Sequence, residues 1–141
     1  MPVDEVKAKI QRILTDRFGS VRIDSDGDFV IPNDSAVAFV GVRPWGEEVV
    51  VHVTAFMLMD VPLSPELYEW VATEGSYFFG HVRVKREEGA ATGTLIFSHC
   101  LLGDFLDKEE MLNALDSVAI LANDLDDKLQ SRFGGRRFIE E

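Results

Sequence analysis

Apolar residues recur along this chain in changing rhythms, and each rhythm predicts an element. Val3, Val6, Ile10, Ile13, Leu14 and Phe18 fall at helical spacing, so residues 3–18 form an amphipathic helix, with Gly19 as its left-handed stop. Alternation then takes over. Val21 and Ile23 precede the polar turn Asp24-Ser25-Asp26-Gly27-Asp28, and Phe29-Val30-Ile31 returns until Pro32-Asn33-Asp34 ends the run. Asp-Gly between two apolar runs predicts a hairpin, because both residues tolerate positive φ. Two longer strands, 36–43 and 48–58, flank Pro44-Trp45-Gly46 and should pair antiparallel. Val49, Val51, Val53 and Ala55 share one side, which should face the helices. Val50, His52, Thr54 and Phe56 share the other, a mixed set suited to a face open to water or to a partner.

Further on, Ser64 is placed as an N-cap with Pro65 at the first helical position, opening a helix to about Gly75 with Leu67, Trp70 and Val71 on its apolar side. Strands over 78–86 and 94–102 are joined by a turn over 88–93. Asp107 followed by Glu110 matches a capping box and opens the longest helix. Its stripe of Met111, Leu115, Val118, Ala122, Leu125 and Leu129 keeps to one side for roughly 33 Å. The helix should end near Phe133-Gly134-Gly135. The expected organisation is one domain over 1–141, with 131–141 as a C-terminal tail running through Arg136, Arg137 and Phe138. The order α-β-β-β(-β)-α-β-β-α, with helices segregated from an antiparallel sheet, makes the class α+β.

Composition narrows the function more than the fold. With 46% hydrophobic and 28% charged residues among 141, the chain can build a full core without disulfide, metal or obligatory partner, and no cofactor is expected. Twenty-five acidic residues against 14 basic give a net charge of -11. Such a surface repels phosphate backbones and anionic lipid, which argues against nucleic acid and membrane and for a basic or apolar protein partner. The single cysteine, Cys100, has no internal disulfide partner, the start Met1-Pro2-Val3-Asp4 does not read as a signal peptide, and no apolar run approaches the ~20 residues of a membrane helix. The expected compartment is the cytoplasm.

Candidate chemistry is thin. Asp24, Asp26 and Asp28 open like a calcium loop, but Phe29 and Ser35 stand where that loop needs Gly and a bidentate acid. His52, His81 and His99 all lie in strands. His81 shares a side with Arg83 and Lys85, and His99 with Leu95, Phe97 and Leu101, so they do not converge on a metal. His99 and Cys100 are adjacent on a strand and point to opposite faces, so His99 cannot activate the thiol. Cys100 reads as a buried small hydrophobe. Asp126-Asp127 and Glu109-Glu110 lie on the long helix, one member of each pair facing water. Gly134-Gly135 follows a helix rather than opening one, so no phosphate loop is present. No catalytic or metal-ligating residue is expected, and the protein is not expected to be an enzyme.

The unexplained feature is apolar surplus: Trp45 at a turn, Phe56-Met57-Leu58-Met59 in succession, and Trp70, Tyr77, Phe78 and Phe79. A continuous run over 56–59 sends side chains to both faces of its strand. Some of them must therefore be covered by the second helix, by another subunit or by a bound peptide. Trp45, Phe56, Leu58 and Trp70 are the candidate partner-binding residues. Replacing Phe56 and Leu58 by Ser is expected to weaken dimerisation or partner binding and to leave the fold intact.

The segment Leu121-Ala122-Asn123-Asp124-Leu125-Asp126-Asp127-Lys128-Leu129, followed by Arg132-Phe133-Gly134-Gly135, resembles the C-terminal helix of bacterial YbjN-like proteins. The order of elements over nearly the whole chain is similar to that of YbjN and of class I type III secretion chaperones. That resemblance implies a non-enzymatic role. It implies a homodimer that holds an extended client segment over apolar patches, or a sensory or stress regulator of the YbjN kind. The leading expectation is a protein-binding module, probing a partner's basic flanks with its acidic rim. The alternative is a small-molecule regulator with a pocket between sheet and helices, involving His52, Thr54 or Tyr77. An enzyme of unfamiliar site would need clustered titratable groups in a cleft.

Overall fold

The computed structural model describes residues 2–33 and 36–138. Along the chain run α1 (Val3–Phe18), β1 (Arg22–Ile23), β2 (Phe29–Asn33), β3 (Ala36–Trp45), β4 (Glu48–Pro62), α2 (Pro65–Glu74), β5 (Ser76–Tyr77), β6 (Gly80–Lys85), β7 (Thr92–Leu102), α3 (Lys108–Phe133) and β8 (Arg136–Arg137). The strands form one antiparallel sheet in the order β1-β2-β3-β4-β7-β6-β5, with β8 added beside β4. The α+β class and the long C-terminal helix are as expected. The expected stop at Asp34 and the end of the tail, 139–141, lie outside the described residues.

One layer of helices covers one face of the sheet. The α3 stripe from Met111 to Leu129 and the α1 residues Val6, Ile10 and Leu14 bury against Val49, Val51, Val53 and Ala55 of β4, with Leu95 and Phe97 beside them on β7. Each large aliphatic or aromatic side chain among them contributes roughly 1.5–3 kcal/mol when fully taken out of water, and the alanines less, so this face is the main source of stability. Leu67 brings α2 into the same core. The caps read from the sequence are made. Ser64 Oγ accepts from the Leu67 N–H at 3.1 Å. Asp107 Oδ1 accepts from the Glu110 N–H at 2.8 Å while Glu110 Oε1 accepts from the Asp107 N–H at 3.4 Å. Lys9 of α1 donates to the Gly103 carbonyl at 2.8 Å, tying the first helix to the end of β7.

Three departures from the expected pattern bear on function. First, the register of β4 on β7 slips between Phe56 and Leu58 and again between Leu58 and Val61. The first bulge turns Met57 and Leu58 to the core in succession, and both are fully buried. The helix layer therefore absorbs Met57 and Leu58, half of the 56–59 run. The second bulge contains Asp60, at φ 54°, a left-handed conformation that Asp tolerates better than most residues. Second, the expected strand 78–86 is broken by a turn at Phe78-Phe79. Gly80 (φ 133°) restarts it so close to β7 that a Cβ there would lie 2.5 Å from the Phe97 ring and 2.6 Å from the Ser98 carbonyl. Third, Arg136 and Arg137 are not simply tail: they pair with Met59 and Leu58 as β8.

Candidate functional site

Among the described residues, the face of the sheet turned away from α1 and α3 has no helix over it, although Ile96 and Ser98 on it are buried. Its contents follow from the register. One row across the strands reads Val37, Phe56, Ile96, Arg83; the next reads Phe39, Thr54, Ser98, His81; the next, Gly41, His52, Cys100; the last, Arg43, Val50, Leu102. Apolar residues thus gather at both ends of the face and polar ones in the middle. Phe39 and Phe56 stack at 5.2 Å between centroids. At the other end Trp45 is 65% exposed and Leu102 49%.

Two open depressions of about 320 and 350 Å³ run along this face and share Phe56, Lys85 and Ile96. Their walls carry opposite charge. Asp24, Asp26 and Asp28 stand on the β1–β2 side, and Arg83 and Lys85 on the β6 side. The expected acidic rim is therefore only half of the rim. The Asp24–Asp28 turn is self-satisfied: Asp24 Oδ1 accepts from the N–H groups of Asp26 and Asp28 at 2.9 and 3.0 Å. Asp28 also pairs with Arg43 at 2.7 Å, side chain to side chain, over the space that Gly41 leaves open. A Cβ on Gly41 would meet the Asp28 carboxylate at 3.0 Å, so this glycine is what lets the ion pair cross the sheet.

The thiol of Cys100 lies 3.2 Å from His52 Nδ1 in the same row. This corrects the reading of Cys100 as a buried hydrophobe, for the residue is exposed. His99 does point away from it, but strand register brings in a different imidazole from 48 residues away. Partial burial pushes the Cys100 thiol above its ordinary range, with Arg83 pulling weakly the other way. A thiol so placed is a poor nucleophile at neutral pH. His99 sits beside Phe79, ring centroids 6.3 Å apart, and burial holds its pKa down, with nearby His81 adding to the effect. Among the described residues no three His, Cys, Asp or Glu side chains are placed to hold a metal ion, and no helix is long and apolar enough to cross a membrane.

The four expected partner-binding residues do not form one surface. Trp45 and Phe56 belong to the outer face, at opposite ends. Leu58 is 0% exposed, turned inward by the first bulge, so its side chain offers nothing to a partner. For the same reason the Phe56/Leu58 double Ser variant would strike the core, and it cannot serve as a test that leaves the fold intact. Trp70 lies on α2 against Phe133, ring centroids 6.2 Å apart, on the helix side of the molecule. The residues that accompany Phe56 instead are Phe39, Ile96 and Phe138. Phe39 could have been found from the alternation of 36–43, where it shares parity with Arg43. His52, Thr54 and Tyr77 do not converge either: the first two are on the open face, whereas Tyr77 packs against Phe97.

Solved structures share this architecture at low sequence identity. YbjN from E. coli superposes with a TM-score of 0.65 at 9% identity, over 89% of this chain and 92% of its own. The ExsC–ExsE complex matches with a TM-score of 0.59 at 17% identity, over 86% and 93%. The Yersinia pestis type III secretion chaperone SycH, solved in complex with a stable fragment of YscM2, matches with a TM-score of 0.55 at 11% identity, over 85% and 98%. No curated protein matches the chain. The profile of the family described as T3SS (YopN, CesT) and YbjN peptide-binding chaperone 1, TY-Chap1, covers residues 4–141. The resemblance carried by the C-terminal helix is thereby confirmed, and the chain belongs to this family of peptide-binding chaperones.

Proposed function

We propose that the chain holds an extended segment of a partner protein along the outer face of its sheet, acting without catalysis as a cytoplasmic homodimer. The observation that carries this reading is the sheet face that no described helix covers: a trough with aromatic and aliphatic residues at both ends and hydrogen-bonding groups between them. An extended peptide presents side chains to a surface at every second residue, which suits apolar sites separated by a polar stretch. Burial there would contribute ~25 cal/mol per Å² of apolar area before the cost of ordering the peptide. The shared fold supports the reading, since SycH and ExsC were each solved together with a second protein. The exposed free thiol of Cys100 suits a reducing compartment. The homodimer reading is supported by the other end of the sheet, where Phe78 is 99% exposed and Phe79 and Tyr68 are also open to solvent beside the short strand β5.

Photo-crosslinking in cells tests the site. Benzophenone side chains at Thr54 and Leu102 are expected to capture one partner segment, and the same group at the exposed helix position Ile120 none. Equal capture at all three, or capture at Ile120 alone, would rule out the outer face.

A further inference from the structure

Phe138, which follows the last helix and the short strand β8, already lies in part of this trough. After α3, Gly134 and Gly135 both adopt positive φ (84° and 88°) and reverse the chain. At Gly135 a Cβ would sit 2.7 Å from Val61 Cγ2 and 2.8 Å from the Met59 carbonyl, so only glycine lets the segment approach β4. The register of β3 on β4 begins at Val37 opposite Phe56, and β8 takes the stretch of β4 just past it, at Leu58 and Met59. Arg136 Nε donates to Asp60 Oδ2 at 2.7 Å, Arg137 pairs with Asp127 on α3, and Phe138 sets its ring edge-on to Phe56 and Phe39 at 5.3 and 6.1 Å.

From this we infer that the β4 edge at Leu58–Met59, with Asp60, Asp127 and the Phe39–Phe56 pair, is a strand-accepting site for an extended partner segment of the pattern cation–cation–aromatic, and that residues 134–138 fill it in cis until such a segment displaces them. The inference rests on the peptide-binding reading above and deepens it. Each element of the site matches one element of the occupant: main-chain pairing takes the backbone, two carboxylates take the two guanidinium groups, and the phenyl pair takes the ring. The pairing covers two residues, and the Arg136–Asp60 contact is largely solvated, with side-chain exposures of 42% and 60%. Asp60 occupies a left-handed conformation at the bulge, and its carboxylate meets Arg136 from there.

The test uses the full-length chain and a fluorescein-labelled peptide Gly-Gly-Arg-Arg-Phe, read by anisotropy. In the double variant R136D/F138S the resident segment loses its contacts to Asp60 and to the Phe39–Phe56 pair and keeps only the Arg137–Asp127 pair among those named, and the peptide is expected to bind at least tenfold tighter than to the unmodified chain. A Gly-Gly-Asp-Asp-Ser peptide should bind neither. Equal binding of the first peptide to both proteins, or to neither, overturns the inference. If the double variant loses helical circular dichroism, R136D alone decides by the same criterion. Light scattering is run in parallel: peptide binding that disappears as the protein dimerises through the same site would assign it to a second copy's C-terminal segment and overturn the client pattern. Capture at Thr54 and Leu102 with no peptide effect would sink this inference alone, whereas absence of capture would sink the reading beneath it.

Discussion

The two faces of β4 are built from neighbouring residues and do opposite things. Val49, Val51, Val53 and Ala55 lie under the helix layer and are fully or almost fully buried, while Val50, His52, Thr54 and Phe56 lie on the open face, mixed in polarity and only partly covered. The inner set is uniform because any polar atom there would lose its water without gaining a partner. The outer set can hold an imidazole, a hydroxyl and a phenyl side by side because solvent or a bound segment can satisfy each one. The helix layer supplies the stability, and this leaves the other face free to be unsaturated. A peptide held on the outer face, as proposed, would use that freedom.

The sharpest way to break the comparison is at positions 56 and 58, two residues apart on opposite faces. Leu58→Ala should cost about 2–5 kcal/mol in urea unfolding, since it opens a cavity among residues that cannot collapse into it. Phe56→Ala, which loses ring contacts to Phe39 and Phe138 on a half-open face, should cost about 1–2 kcal/mol. If Phe56→Ala proved as costly as Leu58→Ala, the outer face would be a permanently covered core, and a second subunit would be the obvious cover. A smaller effect belongs to the helix layer alone. Asp107→Ala removes the capping box of α3 and should lower stability by about 1 kcal/mol while leaving the outer face's chemistry untouched. Partner capture at Thr54 that fell along with stability in this variant would show that the two faces are coupled.

The inner face and the alternating set Val50, His52, Thr54 and Phe56 of the outer face are legible in the sequence, and the rest of the outer face is not, for physical reasons that differ. The stripe on α3 and the alternation at 49–55 are local patterns, so a reader who knows the helical and strand periods recovers them directly. A bulge has no such local mark. Strict alternation makes Met57-Leu58 one inward and one outward residue and so places Leu58 on the surface, whereas the bulge turns both inward. The Cys100–His52 contact depends on β4 lying beside β7 in a particular register, which no spacing in the chain reveals. The docking of Phe138 on Phe39 and Phe56 depends on a two-glycine reversal returning the chain to a strand about eighty residues earlier. Trp45 and Trp70 stand out in the sequence as large and apolar, yet residue type alone does not say on which side of a sheet a side chain ends up.

The Cys100 thiol offers the finest probe of the contrast, because it reports the outer face without altering it. Its pKa is displaced upward by partial burial, so the reactive thiolate is scarce at pH 7 even though the residue is exposed. Below the pKa, each unit of pH raises the thiolate fraction tenfold. Alkylation by iodoacetamide should therefore climb steadily through pH 7–9 and reach its plateau only above the usual thiol range. A plateau already reached near neutrality would mean that His52, 3.2 Å away, holds the sulfur as a thiolate–imidazolium pair, and it would reopen the question of nucleophilic chemistry. With a partner segment bound, the same rate should fall at every pH by one common factor, because coverage limits access without changing ionisation. A change in the pH midpoint instead of the amplitude would place the partner's own charges beside Cys100, and so fix which part of the trough it fills.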